Sequence, residues 1–175
     1  MDNKLFLKAL YFIFFLTLQF NFLPSLAEVV EEVEPNNLIY KAQSISLPVT
    51  IKGNLDKRDP GQIRVTTYND ESLIVQDLYT FFLDKESDVE INLSFDKKNT
   101  DLDLVIFRNN GRKIVNSSSN SESNIEQIKQ KLEAGSYLVG VLSYDGNSDY
   151  LLNIETTTGL NGSKIILMVD GLKEK

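Results

Sequence analysis

From Val89 onward, Val89, Ile91, Leu93 and Phe95 alternate with Glu90, Asn92, Ser94 and Asp96. A period of two is the mark of a strand with one face buried and the other wet. The six residues 102–107, Leu-Asp-Leu-Val-Ile-Phe, are more evenly apolar and predict a more deeply buried strand. The turn signal Asn109-Asn110-Gly111 closes it, so a hairpin should follow. Residues 136–144 and 149–155 are expected to pair across Asp145-Gly146-Asn147-Ser148, and residues 46–54 and 78–83 supply earlier strands. Short strands at this spacing favour an antiparallel sandwich.

Two segments read less simply. Ile125, Ile128 and Leu132 fit one helical face, while Ile128, Gln130 and Leu132 fit strand alternation, so periodicity leaves both open; strand is the preferred reading. Residues 56–76 hold Asp59-Pro60-Gly61, a strand-like run from Ile63 to Tyr68 and a polar turn at Asn69-Asp70-Glu71-Ser72, which together suggest an inserted hairpin. The serine-rich residues 117–123 read as a mobile loop.

The N-terminus carries Lys4 and Lys8, an almost wholly apolar run over residues 9–23, and Pro24-Ser25-Leu26-Ala27 before Glu28. A basic start, an apolar middle and a small-residue exit are the parts of a cleaved signal peptide. An uncleaved anchor is the alternative, since the apolar run approaches the length of a spanning helix. The expected organisation is a signal peptide over 1–27, an acidic linker over 28–37, a β-sandwich over 38–156 and a C-terminal extension with an extra strand over 157–175. In that extension Lys164-Ile165-Ile166-Leu167-Met168-Val169 is apolar on both faces, so it should either complete the same sandwich or be donated to a partner.

Composition closes several function classes. The chain has no cysteine and no histidine, which removes disulfides, Ser-His-Asp and Cys-His catalysis, and the usual zinc ligands. Its net charge is −7, and loss of Lys4, Lys8 and Asp2 with the leader takes it to −8. Nucleic acid and anionic membrane surfaces both require cationic contacts, so neither is an expected partner. Carboxylates remain: Asp101 and Asp103 would share one strand face roughly 7 Å apart, a separation glycosidases use, although alternation with Leu102 and Leu104 is also what an ordinary half-exposed strand shows. No catalytic residue is expected.

The run Glu31-Glu32-Val33-Glu34-Pro35-Asn36-Asn37 alternates oxygen-bearing side chains, and an extended backbone would point Glu32, Glu34 and Asn36 one way. Ca²⁺ takes six to eight oxygen ligands and would suit such a row, though a solvated acidic leader would read the same on these residues alone.

Taken in order, several motifs resemble the bacterial pre-peptidase C-terminal domain, a family that includes the collagen-binding modules of clostridial collagenases. Glu32-Val33-Glu34-Pro35-Asn36-Asn37 is similar to its opening E-x-E-P-N-[ND], with Ala42 and Ile45 at familiar spacing. Ile51-Lys52-Gly53-Asn54-Leu55 resembles its first core strand and Asp77-Leu78-Tyr79-Thr80-Phe81 its D-x-[YW]-x-F strand. Thr100-Asp101-Leu102-Asp103-Leu104, the A-G-[ST]-Y stretch at Ala134-Gly135-Ser136-Tyr137, and Tyr150-Leu151-Leu152-Asn153-Ile154 follow in the same order. The resemblance spans residues 32–154. It implies a jelly-roll-like β-sandwich, non-catalytic and commonly attached to secreted enzymes. It also implies structural Ca²⁺ held by Glu32, Glu34, Asn36, Asn37 and Asp77. Relatives often place a second aspartate three residues before the strand aspartate; this chain has Ile74 there, leaving Asp70 or Glu71 as substitutes. The function expected is a secreted or periplasmic binding module for an extracellular protein or polysaccharide. The alternatives are an accessory subunit of a separately encoded exported protease and a small carboxylate-dependent hydrolase.

Overall fold

In a computed structural model, residues 27–56, 58–66, 72–96, 100–108 and 113–157 are described. The described chain forms twelve strands: β1 (Glu28–Glu31), β2 (Gln43–Ser44), β3 (Val49–Asp56), β4 (Ile63–Thr66), β5 (Ser72–Val75), β6 (Asp77–Leu83), β7 (Ser87–Phe95), β8 (Asp101–Arg108), β9 (Lys113–Ser118), β10 (Ile125–Leu132), β11 (Gly135–Asp145) and β12 (Asn147–Thr157). Sheet one has the order β1-β3-β12-β7-β10, sheet two β2-β6-β11-β8-β9, and β4 pairs with β5 as a separate hairpin. The two five-stranded sheets pack as an all-β, jelly-roll-like sandwich.

Alternation built this core as expected. Val89, Ile91, Leu93 and Phe95 of β7 point inward, meeting Ile51 and Leu55 of β3, Leu104 and Ile106 of β8, and Leu152 and Ile154 of β12. Each fully buried side chain of this kind contributes about 1.5–3 kcal/mol relative to exposure. Residues 125–132 are a strand, with Ile128 opposite Ile91. The even apolarity of β8 has a separate cause: Leu102, Leu104 and Ile106 enter the core, whereas Val105 and Phe107 face outward into a second cluster with Leu78, Leu138 and Leu142. The inserted hairpin covers that second face with Ile63 and Val75. A Cβ at Gly140 would collide with Val75, so glycine there lets the hairpin lie close to β11.

The structure departs from the sequence-based expectations in four places. β11 and β12 are not a hairpin pair. β11 lies between β6 and β8 in sheet two, β12 between β3 and β7 in sheet one, and the chain crosses between sheets at Gly146, whose φ is 73°. Seven consecutive residues of β11, Tyr137 to Ser143, are buried, so both its faces need cover; among the described residues, sheet one is covered on one face only. The sandwich is also not wholly antiparallel, because the edge pairs β1 with β3 and β2 with β6 are parallel. Of the serine-rich segment expected as a loop, Ser117 and Ser118 complete β9, and the Ser118 hydroxyl bonds Glu126 of β10. Residues 28–37, expected as a linker, belong to the sandwich: Glu28–Glu31 is its edge strand, and Asn36 and Asn37 are buried. Asp70, Glu71, the expected signal peptide apart from Ala27, and the apolar run at 164–169 lie outside the described residues.

Candidate metal centre

After β1, Glu32 still follows the β3 edge, its N–H donating to the Lys52 carbonyl at 2.9 Å. The next residues are tied to β2 instead: Val33 N–H donates to Gln43 Oε1 at 2.8 Å, and Gln43 Nε2 donates to the Glu31 carbonyl at 3.1 Å. The segment therefore crosses from one sheet to the other over one end of the sandwich. It does not stay extended. Glu34 Oε2 accepts from the N–H of Asn36 at 2.9 Å, and Asn36 Nδ2 donates to Glu32 Oε1 at 2.7 Å, so the side chains converge through a tight turn rather than by alternation.

Asp77, the first residue of β6, brings the third acid from sheet two and is fully buried. Carboxylate oxygens of Glu32, Glu34 and Asp77 lie within 4.8 Å of one another. Two tyrosines close the site from opposite sheets. Tyr79, two residues along β6, donates to Glu32 Oε1 at 2.7 Å; Tyr150 of β12 donates to Asp77 Oδ2 at 2.8 Å and lies 3.1 Å from Glu32 Oε1. The two hydroxyls also touch each other. Tyr150 reaches this point only because its register partner on β3 is Gly53: a Cβ there would occupy the space of its ring. Glu32 Oε2 accepts from the Asn54 N–H at 2.9 Å.

The protons do not suffice for these contacts. Four close oxygen pairs join Tyr79, Tyr150, Glu32 and Asp77, and two phenols supply two hydrogens. With both carboxylates ionised, two pairs are left as bare oxygen–oxygen repulsion, which a further proton or a cation would relieve. Burial, and then the charge of Glu32, push Asp77 up to about 9. Burial raises Glu34 as well, with Glu32 and Asp59 adding to it and the Asn36 N–H opposing it. Burial also holds both phenols above their ordinary value. Every shifted group at this point thus favours added positive charge. Two buried oxygens also have no partner among the described residues, Asn36 Oδ1 and Asp77 Oδ1. Such orphans are rare and costly in a native interior.

Glu32, Glu34, Asn36 and Asp77 are therefore brought together. Asn37 is buried nearby in sequence, and no hydrogen bond joins it to the acids among the described residues. Ile74 sits on β5, paired with Arg64 of the covering hairpin, and its side chain offers no oxygen. The sequence marks Tyr79 and Tyr150 only as members of strand motifs, with no sign of their part in the site. An open trough of about 800 Å³, lined by Glu32, Glu34, Asn54 and Tyr150 among others, leads to it from solvent. Lys52 on its wall pairs with Glu31 at 3.3 Å.

No family model matches the sequence, and no curated protein matches it. Among solved structures, the chain is similar to the pre-peptidase C-terminal domain of a collagenase from Bacillus anthracis, at 21% identity over 65% of this chain and 94% of that one, with a TM-score of 0.49. It is more distantly similar to an accessory secretory protein of Streptococcus pneumoniae (10% identity, 54% and 85% covered, TM-score 0.32). The C-terminal CBM6 of a marine laminarinase from Zobellia galactanivorans is similar at 12% identity over 59% and 98%, with a TM-score of 0.28. At these levels of identity and overlap, what the site can do follows from its own side chains.

Proposed function

We propose that this chain is an exported, non-catalytic β-sandwich module of pre-peptidase C-terminal type, with Ca²⁺ pinning its N-terminal segment across the two sheets, and that it binds an extracellular protein or polysaccharide. The observation that carries the metal is the pair of orphaned buried oxygens, Asn36 Oδ1 and Asp77 Oδ1, beside three converging carboxylates. Hard oxygen donors of mixed charge suit Ca²⁺, whose shell is flexible and is completed by water from the trough. Glu32, Glu34, Asn36 and Asp77 would hold it. Bound there, the ion supplies the positive charge that the phenols and carboxylates lack.

A binding role follows from what these groups do poorly. Tyr79 and Tyr150 are held protonated, and Glu32 is saturated with hydrogen-bond donors, which suits a fixed structural charge better than proton shuttling. The ordered motifs over residues 32–154 support the same reading, and residues 1–27 support export. Calorimetry tests it: at a hundredfold excess over Kd, Ca²⁺ stabilises by about 2.7 kcal/mol, or about 8 °C in midpoint for a domain of this size. Mg²⁺ should do less, because it resists dehydration and demands a tighter octahedron. An identical midpoint in EDTA and in millimolar Ca²⁺ would end the metal proposal.

A further inference from the structure

A second group of acids lies on the outward face of sheet two, away from the candidate metal centre. Asp101 and Asp103 have the parity of Val105 on β8 and so point away from the core. Asp103 is only 6% exposed. The Ser119 hydroxyl bonds it, yet its Oδ1 has no partner among the described residues. Burial pushes Asp103 up to about 6 against that hydrogen bond, with Asp101 and Glu126 adding to the rise. Beside it runs a cleft of about 630 Å³. The covering hairpin supplies one wall through Val65 and Leu73, and β11 supplies Leu142 and Tyr144. No basic side chain lines the cleft among the described residues.

A cleft that offers both apolar side chains, Val65, Leu73 and Leu142, and serine hydroxyls beside a buried, under-bonded carboxylate suits an aliphatic stem tipped by a cation that the hydroxyls and the carboxylate can together solvate. We propose that this cleft receives a lysine or arginine side chain of a partner polypeptide, its stem against Val65, Leu73 and Leu142 and its charge on Asp103 and Asp101. This rests on the binding-module reading above and names the chemistry of its ligand. A bare metal ion would leave the apolar walls uncovered, and a neutral sugar would leave Asp103 without a counter-charge. Charge complementarity favours the same occupant, since the chain is acidic with a sequence pI near 4.7.

The test is a titration of the ¹⁵N-labelled chain with Nα-acetyl-lysine N-methylamide, followed at backbone amides, with the norleucine analogue as the uncharged control. The lysine probe should shift Asp103, Leu142 and Tyr144 saturably. Norleucine and the Asp103→Asn variant should each weaken this by about tenfold or more, the range expected for a hydrogen bond to a charged group. Asp103→Asn should melt no lower than the parent, which separates lost binding from lost fold. Equal affinity for norleucine would reduce the cleft to an apolar groove and overturn the proposal. So would displacement of the lysine probe by Ca²⁺ with shifts at Asp101 and Asp103, which would make it a metal site. Glycoside hydrolysis that disappears in Asp103→Asn would make the acids catalytic and overturn both this proposal and the non-catalytic reading. Running the titration with and without Ca²⁺ separates the two sites, because the Glu34 amide reports the metal centre and the Leu142 amide the cleft.

Discussion

Replacing Asp77 with asparagine isolates the electrostatic cost of the candidate metal centre. In the unfolded chain this carboxyl titrates near 3.8, and in the fold near 9. The folded state then holds a proton that the unfolded state has released, so the stabilisation it gives is complete at low pH and is lost as pH rises from about 4 to about 9. At about 1.4 kcal/mol per pKa unit, the loss between pH 5 and pH 8 is on the order of 4 kcal/mol. For a domain of this size that is roughly 10 °C in midpoint. Asparagine keeps the shape and carries an N–H donor where the protonated acid carries its O–H, without the charge. In EDTA at pH 8 the variant should therefore melt well above the parent, and at pH 5 the gap should nearly close. Added Ca²⁺ at pH 8 should rescue the parent and leave the variant unmoved. Differential scanning calorimetry at the two pH values, with EDTA and with Ca²⁺, reads all of this. A gap between parent and variant that does not change with pH would refute the buried-proton reasoning, and a variant that responds fully to Ca²⁺ would remove Asp77 from the ligand set.

Glu34→Gln should abolish most of the Ca²⁺ response at little cost to metal-free stability, whereas Glu32→Gln should also lower metal-free stability by about 1–3 kcal/mol, because its amide would face the Asn54 N–H or displace one of three donors; thermal melts of the two variants in EDTA separate them. Gly53→Ala should destabilise by about 1–3 kcal/mol through collision with the Tyr150 ring and reduce Ca²⁺ affinity in the same variant, as isothermal titration would show; unchanged affinity would mean that the ring position is immaterial to the site. Apparent Ca²⁺ affinity of the parent should rise with pH up to about 9, as the ion competes with the Asp77 proton, and a flat profile from pH 6 to pH 8 would count against that competition. The exported protein should begin at Glu28 by mass spectrometry, and recovery of the intact chain from membranes would favour an anchored domain.

The strands were legible where burial is decided locally. β7 announced itself by alternation, and the even apolarity of β8 correctly implied cover on both faces, although only the structure shows the hairpin of β4 and β5 supplying it. Pairing was not legible in the same way. Strands β11 and β12 are separated by Gly146 alone yet belong to different sheets, because partner choice depends on which faces remain uncovered after the whole chain has packed. The site divides along the same line. Glu32, Glu34, Asn36 and Asp77 stood out by type and order. Tyr79 and Tyr150 did not, since their rings obey the core pattern and only the register shows where their hydroxyls end. One local signal was available: Gly53, alone inside a strand, marks a close approach of another group.

That glycine also explains how a chain without cysteine can join its two sheets and its N-terminal segment at one point. Glu32 comes from the extension of the β1 edge, Asp77 from sheet two and Tyr150 from sheet one, so the site ties together positions 45 and 118 residues apart in sequence. A cross-link of this reach is what a disulfide would give a secreted domain. Here the same elements meet through oxygen atoms alone, and buried oxygens of like charge repel unless something positive sits among them. The cluster therefore couples the docking of residues 32–37 to whatever neutralises it: a proton on Asp77 at low pH, or a cation at neutral pH. Proton and cation compete for one place, and in that competition the cation gains as pH rises, because each step toward ionised Asp77 makes the empty site less stable and the filled one relatively more so.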